Sequence, residues 1–91
     1  MLPILVEEQL PAERLDKLQI LSWPVREYAV GEFSCRYQER EACYLLEGTA
    51  VLIPEEGIPL ELASGYLVVF PAETSCVWQV LQPLRMHYRL G

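Results

Sequence analysis

Ninety-one residues, 52% of them hydrophobic, are expected to form a single domain over 1–91, because a chain this short buries only roughly two-thirds of the surface its unfolded form exposes and can fill one core. Thirteen acidic residues against seven basic ones speak against nucleic acid and anionic membrane as partners, since both reward a positive surface. No apolar run approaches the roughly 20 residues that span a bilayer, and the first positive charge, Arg14, follows Glu7, Glu8 and Glu13 instead of opening a signal peptide, so the expected location is the cytoplasm.

Glu7-Glu8 reads as a pair of solvated loop charges. Residues 11–21 are the one stretch with a helical pattern. Pro11 and Glu13 stand at its start, Leu15 and Leu18 lie three apart, and Ser22-Trp23-Pro24 ends it. A helix of about three turns cannot make a domain of its own, so it is expected to cap something else. Everything after Pro24 reads as strand. Phe33, Cys35 and Tyr37 alternate with Ser34 and Arg36, and Glu41, Cys43 and Leu45 alternate with Ala42, Tyr44 and Leu46. Further strands are predicted over 49–53, 59–63, 66–70, 76–81 and 84–90. Turns separate them at Gly48, Pro54-Glu55-Glu56-Gly57, Ser64-Gly65, Pro71 and Gln82-Pro83.

Several of these strands are apolar on both faces, which implies two packed sheets or a closed barrel. Tyr44, Leu46, Leu67, Val69, Phe70, Trp78 and Val80 are the expected core. The last strand alternates most cleanly: Leu84, Met86, Tyr88 and Leu90 point one way, Arg85, His87 and Arg89 the other. Open edges in so small a structure are compatible with a homodimer. Cys35, Cys43 and Cys76 are odd in number and widely spaced, so they read as reduced thiols and not as a disulfide scaffold or zinc ribbon.

Two strings carry the most information: Glu41-Ala-Cys-Tyr-Leu-Leu-Glu-Gly48 and Gly65-Tyr-Leu-Val-Val-Phe-Pro71. The second is continued by Cys76-Val-Trp-Gln-Val80 and Arg85-Met-His-Tyr88. In these residues the chain resembles the cupins, and among them the small single-domain cupins similar to the cupin domains of (S)-ureidoglycine aminohydrolase. The resemblance runs from about Trp23 to the C-terminus, with a first motif near 31–48 and a second near 65–80. It implies an all-β fold: a small antiparallel cupin barrel (RmlC-like jelly roll) with one short N-terminal helix.

The resemblance also implies where a metal would sit. Cupins hold a first-row divalent ion with imidazoles and one carboxylate, leaving positions open for substrate. Here the corresponding positions carry Cys35, Tyr37, Glu41 and Cys76, and only Glu41 is of the usual type. No cofactor is expected and manganese least of all. Zinc is the one metal that the thiols would suit, through Cys35, Glu41 and Cys76. The alternative is structural, with the cysteines filling a narrowed barrel. A buried Glu41 needs a donor, from Tyr37 or an inward basic residue, or must stay protonated. It is also the candidate catalytic acid or base. Trp78 and His87 are further candidates for the cavity. His87 is expected on the exposed face; if that face turned inward, Arg85 and Arg89 would flank it as an anion clamp.

Two functions follow. One is a cupin module that binds a small molecule or serves structurally, its metal site degenerate. The other is a metal-dependent enzyme on a small nitrogenous or carboxylic metabolite, on the pattern of the aminohydrolase. The missing ligands favour the first, and the resemblance alone favours the second.

Overall fold

The computed structural model describes residues 3–91; Met1 and Leu2 of the expected 1–91 domain lie outside the described residues. Seven strands follow in chain order: β1 (Leu5–Glu7), β2 (Val25–Tyr28), β3 (Gly31–Tyr37), β4 (Glu41–Pro54), β5 (Leu60–Ala63), β6 (Leu67–Phe70) and β7 (Thr74–Leu90). One helix, α1 (Ala12–Leu18), and a 3-10 turn, Ile20–Ser22, connect β1 to β2. All pairings are antiparallel. The hydrogen-bonded path β1-β6-β4-β7-β2 carries β3 on β7 and β5 on β4, and it does not close on itself.

β4 and β7 organise the molecule, because each takes part in two leaves of sheet. The first half of β4 lies between β6 and the second half of β7, which in turn pairs with β2. The second half of β4 lies between β5 and the first half of β7, which pairs with β3. The sequence pattern breaks both strands, at Gly48 and at Gln82-Pro83. In the structure neither is a turn. Both are bends inside continuous strands, lying opposite one another where the β4–β7 register shifts between Leu45 and Ala50. A strand interior rejects proline because the ladder needs its N–H; at this irregularity Pro83 can be accommodated. Gly48 has φ +96°, and a β-carbon there would lie 2.2 Å from the Pro83 carbonyl oxygen, so only glycine fits.

The bulge changes which residues of β4 face inward. Cys43 and Leu45 are inward before it, Ala50 and Leu52 after it, and all four join one core with Leu62, Val68, Phe70, Cys76, Trp78, Val80, Leu84 and Met86. Aromatic contacts tie the two leaves together. Tyr37 of β3 stacks on Phe70 of β6 at 4.1 Å, and Tyr28 of β2 meets Phe33 of β3 at 4.6 Å. Side-chain packing, not a closed ladder, makes the barrel.

The expected core divides in two. Phe70, Trp78 and Val80 lie between the leaves. Tyr44 and Leu67 lie on the outer face, beneath the N-terminal segment with Leu10 and Ile20, while Leu46 and Val69 are only partly buried there. The helix therefore covers a sheet face. It ends earlier than its pattern predicts: Gln19 is left-handed (φ 54°), and its N–H bonds back to the Asp16 carbonyl. The chain then turns so that Ile20 is wholly buried against the sheet. One strand escapes the sequence pattern. β1 had no predicted strand, and Glu7, expected in a loop, ends it, exposed and paired with Arg14 at 2.7 Å.

Gly48→Ala should destabilise the protein by about 2–4 kcal/mol, since the methyl group meets backbone and the left-handed φ disfavours any side chain. Urea denaturation of the two proteins measures this, and a loss within experimental error would contradict the bend.

Candidate functional site

The inward rows of β2, β4 and β7 place a charged pair inside the barrel. Glu41 opens β4 with its Cα opposite Phe70, an inward residue, so its side chain shares that face and is only 4% exposed. On β2, Val25 and Glu27 are exposed while Arg26 and Tyr28 turn inward, Arg26 lying opposite the wholly buried Met86. Arg26 is level with Met86 and Leu45, and its long side chain runs diagonally across β7 to Glu41. Its Nη1 donates to Glu41 Oε2 at 2.8 Å. On the way the guanidinium lies over the Tyr88 ring, 3.9 Å from its centroid, where the negative face of the ring attracts it. The Cys43 thiol donates to the same Glu41 oxygen at 3.3 Å.

Burial would by itself lower the pKa of Arg26, but the hydrogen bond to Glu41, with Tyr28 beside it and the Glu41 charge, carries it above the ordinary arginine range. Cys43 is held well above the usual thiol value, first by burial and then by the Glu41 carboxylate. Cys76 is pushed up to about 12 by burial and by the neighbouring Cys35. Burial, and after it Cys43, raises Tyr37 strongly. At neutral pH Cys43, Cys76 and Tyr37 are therefore neutral.

The structure distributes the expected site residues over three places. Cys35 and Cys76 are paired across β3 and β7. Tyr37 lies in the same wall, where its hydroxyl accepts from Trp78 Nε1 at 3.0 Å, while Glu41 takes its donors from Arg26 and Cys43 and not from Tyr37. Glu41 belongs with Arg26 and Cys43. His87 is neither exposed nor in the barrel: it is 7% exposed on the outer face, where Nδ1 donates to the Trp23 carbonyl at 2.8 Å beneath the segment that covers the sheet. Its neighbours Arg85 and Arg89 lie outside and exposed, so they form no inward clamp. Leu84, Met86 and Tyr88 line the barrel instead. Among the described residues, no three of His, Cys, Asp and Glu gather closely enough to hold a metal ion, and no helix is long and apolar enough to cross a membrane.

The sequence asks for an inward basic residue beside Glu41 and puts Cys43 on the same row, but it does not single out Arg26 or the Tyr88 ring beneath it. The signal for Arg26 was the alternation of Val25, Arg26, Glu27 and Tyr28, which pairs an arginine with an aromatic residue on one face. An arginine on an inward face reads as an error until its partner two strands away is known.

Residues 15–88 match the EutQ-like cupin domain family. This chain belongs to the EutQ-like cupins. It is similar to the crystal structure of a DUF861 family protein from Thermotoga maritima, with 37% identity and a TM-score of 0.93, over 98% of this chain and 100% of that one. It shares its fold with a protein of unknown function (DUF1255) from Acidithiobacillus ferrooxidans, with 23% identity and a TM-score of 0.67, over 69% of this chain and 60% of that one. The EutQ protein of Clostridium difficile has the fold too, with 19% identity and a TM-score of 0.67, over 96% and 66% of the two chains. Among curated proteins none matches. The cupin fold is thus established, and no specific activity comes with it.

Removing either member of the ion pair has unequal effects. Arg26→Met should cost about 2–4 kcal/mol, because it leaves a buried carboxylate uncompensated. Glu41→Gln should cost about 1 kcal/mol, since the amide still accepts from Arg26, which water also reaches. In the double variant Arg26→Met/Glu41→Leu the loss should fall short of the sum of Arg26→Met and Glu41→Leu by about 1–3 kcal/mol. Denaturant titration of the four proteins reads the coupling.

Stability should also fall in alkali. Cys43, Cys76 and Tyr37 are raised in the folded state, so the unfolded chain loses protons first. Their contribution is full below about pH 8.5, where unfolded thiols begin to ionise, and for Cys76 it is lost progressively as pH rises to about 12. Urea midpoints from pH 7.5 upward should decline, and the decline should be shallower in Cys76→Ala.

Proposed function

We propose that this cupin is a small-molecule-binding or structural module whose standard metal site is degenerate. The observation that carries this reading is the 2.8 Å contact between Arg26 and Glu41. Glu41 is the one residue of usual ligand type at the cupin positions, and its charge is met by a guanidinium. A divalent ion at Glu41 would have to displace Arg26 or stand against its positive charge. The residues therefore do not fit a manganese site of the usual kind, which draws on imidazoles and a free carboxylate. Zinc would require thiolates, and burial opposes ionisation of Cys76.

Room for a small ligand exists at the end of the barrel, outside the ion pair. An open cleft of about 710 Å³ lies between the β4–β5 loop and the start of β7, with Arg36, Glu55, Glu56, Glu73, Thr74 and Ser75 as polar groups and Ile4, Ile58 and Leu60 as apolar ones. Apolar wall beside charged and hydroxyl groups suits a small polar organic molecule, and three carboxylates against one guanidinium favour a cationic or donor-rich one. The finer similarity to (S)-ureidoglycine aminohydrolase rests on the motif residues alone, and Arg26 weighs against its chemistry. Three free thiols support a reducing, cytoplasmic setting. The open edges of β2 and β3 are compatible with a homodimer.

Metal analysis of protein purified without chelator tests the reading, together with an assay of ammonia release from ureidoglycine. Substoichiometric manganese and zinc and no ammonia are expected. One manganese per chain, with ammonia release that Glu41→Gln abolishes, would overturn the proposal in favour of an enzyme. One zinc per chain, lost in Cys35→Ser or Cys76→Ser, would overturn the degenerate site alone.

A further inference from the structure

Cys35 and Cys76 are directly opposed in the β3–β7 ladder, and both are free thiols. They occupy the inward rows of their strands, alongside Phe33 and Tyr37 on one and Trp78 and Val80 on the other. Opposed residues of an antiparallel pair have Cα atoms about 4.5–5.5 Å apart, inside the range of roughly 4.4–6.8 Å that a disulfide spans. Their Cβ atoms, on the same face, start from about 4.5–5.5 Å, so closure asks only a small approach of one strand. β3 can make it, since its ladder is to β7 alone. Cys35 is half-buried, not sealed, and both residues border a groove of about 500 Å³. The third thiol, Cys43, has no exposure and is engaged by Glu41.

We propose that Cys35 and Cys76 are a reversible redox pair that closes to a cross-strand disulfide when the protein meets a low-molecular-weight disulfide such as oxidised glutathione. The thiolate of Cys35, the more accessible residue, attacks one glutathione sulfur, forming a mixed disulfide and expelling the other glutathione as thiolate. Cys76 then gives up its proton and attacks the Cys35 sulfur, and the second glutathione leaves as thiolate. The two protons of the protein thiols end on the two glutathione thiols. The cysteines lose two electrons and the glutathione disulfide gains them. Capping Cys35 also removes its contribution to holding the Cys76 thiol up, which favours the second step. The bond would fix the edge strand β3 to β7 next to the Tyr37–Trp78 hydrogen bond, making the barrel wall responsive to the surrounding thiol–disulfide poise. This inference does not rest on the binding-module reading.

Equilibration of the unaltered protein in glutathione redox buffers, followed by acid quench, intact mass and peptide mapping, tests it. The expected result is loss of two hydrogens per chain under oxidising buffer, a single Cys35–Cys76 link, a free Cys43, and full return on reduction. Cys43→Ala should leave the transition unchanged, whereas Cys35→Ala should abolish it. The oxidised protein should also unfold at a higher urea midpoint than the reduced one. A stable glutathione adduct on Cys35 without closure, a link involving Cys43, or no reaction over the whole redox range would each overturn the proposal.

Discussion

At the point where β4 faces β7, a β-carbon on residue 48 would stand 2.2 Å from the Pro83 carbonyl oxygen, and the architecture depends on that closeness. The two longest strands bend there together, each leaving one leaf of sheet and entering the other without parting company. The bulge that accompanies the bend moves the inward row of β4 from Cys43 and Leu45 to Ala50 and Leu52. Without that change of face, one half of β4 would present its apolar row to solvent, because side chains alternate strictly along a strand. The core between the leaves, the position of Glu41 at the start of β4 and the cross-leaf aromatic contacts all follow from this crossing.

Inside the barrel the polar groups are satisfied by one another. Among the described residues, no buried side-chain nitrogen or oxygen lacks a hydrogen-bond partner. Glu41 takes donors from Arg26 and Cys43, while Tyr37 takes one from Trp78. A buried carboxylate stays charged only when a cation or several donors stand by it. Here an arginine from β2 stands by Glu41 at 2.8 Å. Arginine suits the place, because its long flat head can rest on the Tyr88 ring while its tip reaches Glu41. Electrostatics thus links the burial of Glu41 to the presence of an inward Arg26.

The outer layer obeys a simpler rule. The first leaf carries apolar residues on both faces, and the face away from the barrel is covered by α1 and the turn that follows it. Ile20, Leu10, Tyr44 and Leu67 form that second, smaller core. His87 is buried by the same cover and spends its Nδ1 proton on the Trp23 carbonyl. Its burial comes from the helix segment and has no connection to the barrel interior.

The strand content, the antiparallel barrel and the cupin motifs were legible in the sequence, since alternation, glycine and proline spacing and the strings around Glu41 and Gly65 are local properties of the chain. In the last strand the apolar row Leu84, Met86 and Tyr88 is the inward one and the flanking arginines stay exposed, as the alternation suggests, but the burial of His87 between them depends on the helix segment that covers the outer face and is not written in the strand itself. Gly48 and Pro83 read as turns because either residue alone breaks a strand, and only their meeting across the ladder makes one bend of the two. The same holds for Arg26 and Glu41, fifteen residues apart, and for Cys35 and Cys76, forty-one apart. A single sequence records which residues alternate along a strand. Which of them stand opposite one another is decided by strand order and register, and the chemistry of this interior is a matter of opposition across strands.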